Sequence, residues 1–201
     1  TPDCPPSPDV GEGLHMRLTT ATIWTVVPIL KTLADDEPEL DLELRYDSQR
    51  AERYSPLGNG WTHSYNVRVA KPDGSAPSCN GPNQKLILWT PGDRRNAFQS
   101  PASGCGVSFL SPPGRPMTMV WTTDSFPVAI HPNGEEHRFD FSGNLKIIID
   151  RRNRQTIFNY DGSNRLTEVR SPHGRKITFA YTASDPSLIT SITDPDNKTT
   201  T

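Results

Sequence analysis

Apolar residues are scarce in this chain, at 33% of 201 positions, and they never run for the ~18 consecutive residues that a membrane-crossing helix needs. No spanning helix is expected. A charged-then-apolar start with a small-residue cleavage site is also missing, so if the protein is exported this sequence is its mature form. Zinc-protease, serine-hydrolase and nucleotide chemistry lack their usual signatures: there is no HExxH, no GxSxG and no Gly-rich phosphate loop. The five histidines, His15, His63, His131, His137 and His173, stand singly, and no CxxC or Cys/His grouping has zinc-ligand spacing. Carboxylate pairs such as Asp140 with Glu136 and Asp194 with Asp196 are explained by solvent-facing strand positions and turn caps. The reading is therefore a non-enzyme with no metal and no cofactor.

Helical periodicity is also lacking, whereas punctuation is abundant. The chain holds 20 Pro and 14 Gly, about 17% ((20+14)/201), too much for a helical bundle. One candidate helix, Ile23 to Ala34, carries Pro28 in its middle and many β-branched residues, so Thr20 to Ile29 reads as a strand. Leu40, Leu42, Leu44 and Tyr46 alternate with charged residues as a half-buried strand does. Trp61 to Val69, Lys85 to Trp89 and Met117 to Thr122 are expected as further strands, with loops at Ser75 to Asn83 and Pro91 to Gly106. Thr1 to Gly13, rich in proline, reads as an extended lead-in, and Asp35 to Pro38 as an acidic connection. The expected organisation is 1–13 lead-in, 14–125 β region with loops and 126–201 hairpin repeats, all in one continuous antiparallel sheet with a single core.

The strongest signal is an internal repeat. Leu145, Ile148 and Asp150 correspond to Leu166, Val169 and Ser171, and to Ile189, Ile192 and Asp194. Phe158 and Tyr160 recur as Phe179 and Tyr181, a shift of 21 residues (179 minus 158). The third copy begins 23 residues after the second (189 minus 166), and its two extra residues fit the polar turn Thr182 to Ser187. Aromatics two apart share one strand face, and Gly143-Asn144, Asp161-Gly162, Ser171 to Gly174 and Asp194 to Asn197 supply turn residues between strands. A fainter copy upstream places Phe139 and Phe141 in the aromatic positions, 19 residues before Phe158 and Tyr160.

Tyr160-Asp161 with Gly143-Asn144-Leu145 before it and Asp194-Pro195-Asp196 after it resembles the tyrosine-aspartate (YD) repeats of the Rhs (rearrangement hotspot) family. The upstream segment Arg45-Tyr46-Asp47-Ser48, followed by Gly58, Gly60, Trp61, His63 and Tyr65, is similar to the segment that precedes such repeats. The match spans about Leu40 to Thr201; Thr182 replaces the repeat aspartate in the second unit, and the third unit stops before its aromatic strand. Asp194-Pro195 lies in register with the repeat turn and lacks the Gly-Leu of the family's self-cleaving segment. The resemblance implies an all-β fold, an antiparallel β-hairpin repeat sheet forming an open segment of an Rhs-like β-shell. It also implies a secreted or cell-surface bacterial protein that encloses a toxin or displays other components.

Too few hairpins are present to close a shell, so the expected partners are the remainder of a longer chain or further copies joined by edge-strand pairing. Cys79 and Cys105 flank the Leu86 strand, and a disulfide between them would stabilise by roughly 3 kcal/mol; two free thiols are the alternative in a reducing compartment. Cys4 is left over for an intermolecular bond, an attachment or an inert thiol. Residues 1–60 hold 11 acidic against 5 basic residues, and residues 143–201 hold 9 basic against 6 acidic. The Arg-rich end, Arg151, Arg152 and Arg154 above all, supports a second reading as an adhesion module for acidic glycans or a partner protein, against the plainer one of a solvated sheet face. Nucleic acid is not an expected partner.

Overall fold

The structure is a computed structural model that describes residues 14–17, 22–30, 40–52, 55–79, 84–91, 94–101, 104–114, 116–124, 126–183 and 187–201. The lead-in with Cys4 and the acidic connection at 35–38 lie outside the described residues. The chain is all-β and antiparallel, apart from a single 3-10 turn at Ser48–Arg50 among the described residues. No helix among them is long and apolar enough to cross a membrane.

Three sheets form where one was expected. The first contains β1 (Leu14–Arg17), β2 (Thr22–Leu30), β3 (Leu42–Asp47) and β4 (Trp61–His63), in that order. A second contains β5 (Arg68–Ala70), β6 (Lys85–Thr90) and β7 (Arg94–Gln99). The third is a ten-stranded meander. Its strands are β8 (Ser108–Phe109), β9 (Thr118–Trp121), β10 (Pro127–Ile130), β11 (Glu136–Phe139), β12 (Leu145–Ile149), β13 (Gln155–Tyr160), β14 (Leu166–Arg170), β15 (Lys176–Tyr181), β16 (Ile189–Thr193) and β17 (Thr199–Thr200). The second and third sheets touch through isolated bridges, Arg68 with Asn144 and Gln99 with Leu110. Strands β9 and β10 pair across residue 126, so the large sheet extends to both sides of that position.

Trp61 to Val69 is not one strand: the chain leaves β4 after His63 and enters another sheet at Arg68. Ser64 makes that exit. Its hydroxyl donates to the Asp41 carbonyl at 3.0 Å and accepts from Glu43 N at 3.2 Å, binding the corner back onto the start of β3. Part of the loop expected at 91–106 is strand β7, because Phe98 and Leu86, and Asn96 and Leu88, stand opposite one another with all four buried. Apolar surface on β6 selects a partner whose own sequence is mostly polar. Pro28 is tolerated within β2 because β1 pairs only Thr22 to Thr25, and the β2–β3 ladder shifts register between Pro28 and Leu30.

One continuous core lies between the sheets. Leu42, Val69, Leu86, Leu88 and Phe98 of the first two meet Met119, Trp121, Phe139, Leu145, Phe158, Val169 and Ile177 of the third. Each of these large side chains contributes about 2 kcal/mol by leaving water.

The meander is written in one turn grammar. In six loops, His131–Glu135, Asp140–Asn144, Asp150–Arg154, Asp161–Arg165, Ser171–Arg175 and Asp194–Lys198, the first N–H donates to the fifth carbonyl at 2.8–3.0 Å. The fourth N–H donates to the first carbonyl at 2.9–3.1 Å. The fourth residue is always left-handed: Gly134, Asn153 (φ 62°) and Asn164 (φ 60°) are examples. This is the three-residue hairpin loop whose last position favours Gly or Asn. Asp at the first position adds a cap, since Asp161 Oδ1 accepts from Ser163 N at 2.9 Å and Arg165 N at 3.1 Å, and Asp150 and Asp194 do the same in their turns.

Candidate functional site

The two sequence motifs meet in one place. A cavity of about 360 Å³ lies between Pro56, His63, Tyr65 and Arg68 of the upstream segment and Tyr160, Asn164, Arg165 and Tyr181 of the repeats. The upstream segment is shaped by its aromatic and glycine residues. Tyr46 and Trp61 pair across β3 and β4 with ring centroids 5.3 Å apart. Gly60 has φ +77°, and a Cβ there would stand 2.8 Å from the Tyr46 ring, so no larger residue fits beneath that pair. Gly58 is also left-handed, and the Ser55 hydroxyl donates to its carbonyl and to that of Trp61. Beyond the turn, Tyr65 packs edge-on against Phe158 at 5.5 Å and His63 lies 5.8 Å from Phe179. Ile189 N completes the seam by donating to the Pro56 carbonyl at 2.7 Å.

On the repeat side the two tyrosines do the same job. Tyr160 Oη donates to the Leu145 carbonyl at 2.9 Å, and Tyr181 Oη to the Leu166 carbonyl at 2.9 Å. In each case the main-chain ladder to the preceding strand has stopped, at Ile147 with Ile157 and at Glu168 with Thr178, and the phenol reaches the next carbonyl along. Both rings pack on the same core, on one side of the sheet. Tyr160 and Tyr181 also sit at matching bulges, opposite Leu166 and Ile189. Arg165 links the units, with its Nε 2.6 Å from Asp161 Oδ2 and its guanidinium 4.7 Å from the Tyr181 ring centre. That Arg165 side chain, with the Ser163 and Arg165 amides, holds the Asp161 carboxyl below its ordinary value. Tyr160 and Leu166 pair across five intervening residues and Tyr181 and Ile189 across seven, of which 184–186 lie outside the described residues.

The cleft is lined mostly by apolar surface, with the Arg68 and Arg165 side chains at its wall. Burial pushes the His63 imidazole down to about 4, so it is neutral at pH 7, and its Nδ1 has no hydrogen-bond partner among the described residues. Burial also pushes the phenols of Tyr65, Tyr160 and Tyr181 up, that of Tyr181 to about 12, and keeps them protonated. At neutral pH the cleft therefore presents an uncharged imidazole and protonated phenols.

The other sites named from the sequence are dispersed. Cys79 and Cys105 are joined, with Cα atoms 5.1 Å apart. Arg151 and Arg152 are exposed in the β12–β13 turn, whereas Arg154 is bound to Asp150 at 2.7 Å. Phe139, not Phe141, occupies the Tyr160 position: it faces Leu145 as Tyr160 faces Leu166, a shift of 21 rather than 19 (160 minus 139). Phe141 lies in the turn, 62% exposed and stacked on Phe126 at 4.5 Å. The difference arises because β11 has four residues where β13 has six.

Nor do all the histidines stand singly. His131, Glu135 and His137 each offer a ligand atom, all within 4.8 Å of one another. Hairpin register makes the group: His131 N donates to the Glu135 carbonyl across the turn, and His137 follows Glu135 by two on the same strand face. No protein-family profile and no curated protein matches the chain.

Proposed function

We propose that the chain is a non-catalytic structural module of an extracellular Rhs-like protein, part of a β-shell or scaffold that encloses or displays other components. The observation that carries this reading is the identical use of Tyr160 and Tyr181, each tying its own hairpin to the one before it at 21-residue spacing. A unit that is completed by its neighbour rather than by itself is suited to extension into a long wall. The upstream segment caps that wall through His63, Tyr65 and Pro56. The adhesion reading has less support. Arg154, Arg165 and Arg170 are paired with Asp150, Asp161 and Glu168 at 2.6–2.7 Å, which leaves less of the basic face for a polyanion.

Antibody raised against this chain tests the proposal on the producing cells. Labelling of intact cells or of the medium, with hollow particles bearing the label in electron micrographs, is the expected result. Label confined to the cytoplasm, or to solid particles of single-chain size, would overturn it.

A further inference from the structure

We infer that His131, Glu135 and His137 form a binding site for a divalent transition-metal ion of the zinc class at the first turn of the repeat array. The inference does not depend on the shell reading. It rests on how this hairpin departs from its neighbours.

By turn position, His131 and Glu135 stand where the next unit has Asp150 and Arg154, and the one after it Ser171 and Arg175. By strand register, His137 faces Ile148 as Phe158 faces Val169 and Phe179 faces Ile192. The repeat elsewhere puts a buried phenyl ring at this place and a hydrogen-bonded cap at the turn. Here an imidazole replaces the phenyl ring, a second imidazole replaces the cap, and a carboxylate replaces the arginine. All three departures converge. The imidazole centres are 4.2 Å apart, and Glu135 Oε1 lies 2.7 Å from His137 Nε2.

Hydrogen bonds inside the hairpin leave this group incompletely satisfied. His131 Nε2 and His137 Nδ1 are buried with no hydrogen-bond partner among the described residues, a costly condition for polar atoms. Two imidazoles and one carboxylate suit zinc, copper, nickel or cobalt better than magnesium or calcium, and three protein ligands leave a further position for water or an outside ligand. Bonds of about 2.0–2.2 Å require the donor atoms to draw together from their present span, a movement within the reach of side-chain rotation. Arg151 lies beside the turn, with its Cγ 3.3 Å from where a Cβ on Gly134 would be. An ion here would fasten β10 to β11 at the point where the repeated turns begin.

The test uses the chain without a histidine tag, stripped with chelator, loaded with zinc and dialysed. Retention of about one zinc per chain is expected, with a raised unfolding temperature and visible d–d bands when cobalt replaces zinc. His137→Phe restores the residue found at the equivalent place in the next two units, so it should fold; with His131→Gln it is expected to weaken zinc binding by roughly 100-fold or more. Strand content by circular dichroism checks that each variant is folded. Wild-type protein that retains no zinc and gains no thermal stability, or folded variants that retain zinc as the wild type does, would overturn the inference.

Discussion

The upstream half and the repeat half of this molecule use the same strand chemistry but are held in place differently. In the repeats, restraints are local and recur: an aspartate caps its own turn within four residues, and a tyrosine reaches back fifteen residues to the preceding strand. Upstream, the restraints are singular and distant. Ile23 N donates to Ser48 Oγ at 2.9 Å, Ser64 returns to Asp41 and Glu43, and Gly60 fits beneath Tyr46. A repeated unit spreads its stability over copies, whereas the upstream half concentrates it in a few contacts.

The sharpest way to break this comparison is one substitution made in two turns. Gly143 and Gly174 both occupy the left-handed position, at φ +86° and +88°. A Cβ on Gly143 would lie 1.9 Å from the Val69 carbonyl oxygen, because β5 is seated on this turn through a 2.8 Å bond from Val69 N to the Gly143 carbonyl. A Cβ on Gly174 meets nothing within 4 Å. Gly143→Ala is expected to cost about 4 kcal/mol or more, while Gly174→Ala costs only the backbone strain, about 1 kcal/mol. Urea denaturation of the two variants measures both.

Acid comes next in size. His63 is neutral and buried, with its folded value near 4 against 6.5 unfolded, so the unfolded chain binds the proton first as pH falls. Its contribution is present in full above pH 6.5, shrinks as pH falls through that window and is gone near pH 4, a loss of roughly 3 kcal/mol. In His63→Leu the gap in unfolding free energy between pH 7 and pH 4 should narrow by about that amount. An unchanged gap would place the acid sensitivity elsewhere.

Smaller effects test the equivalence of the repeats. Tyr160→Phe and Tyr181→Phe each remove one hydroxyl-to-carbonyl bond at 2.9 Å and should each cost about 1 kcal/mol. The two losses should agree within about half of that value, since the bonds join equivalent atoms. Unequal losses would mean that the units are alike in sequence but not in energetics.

What the sequence made legible follows the same division. Alternation and turn residues were enough to place Phe158, Tyr160, Phe179 and Tyr181, because each depends on its immediate neighbours. The upstream chain was harder to read. The Arg94–Gln99 strand looks like loop, since among its described side chains only Asn96 and Phe98 face inward and its pairing is set by β6. Division into three sheets was hidden for a related reason, as nothing local marks the departure at Ser64. The cavity between His63, Tyr65, Tyr160 and Tyr181 depends on how distant segments seat together. His131 and His137 are not legible as a pair from ligand spacing along the chain, because they meet across a turn. The signal was available in the register, with Glu135 opposite His131 and two residues before His137.

Residue-resolved hydrogen exchange tests most directly whether the hairpin is one physical unit used repeatedly. Slow exchange is expected along β12 to β16 and also at the turn amides of Arg154 and Arg165, which donate to Asp150 and Asp161, with little protection at Gly162 between them. The Val69 amide should match the protected strands through its bond to Gly143. Protection that recurs along the repeats in this form is the predicted result; fast exchange at Arg154 and Arg165, or protection in only one of the two units, would contradict it.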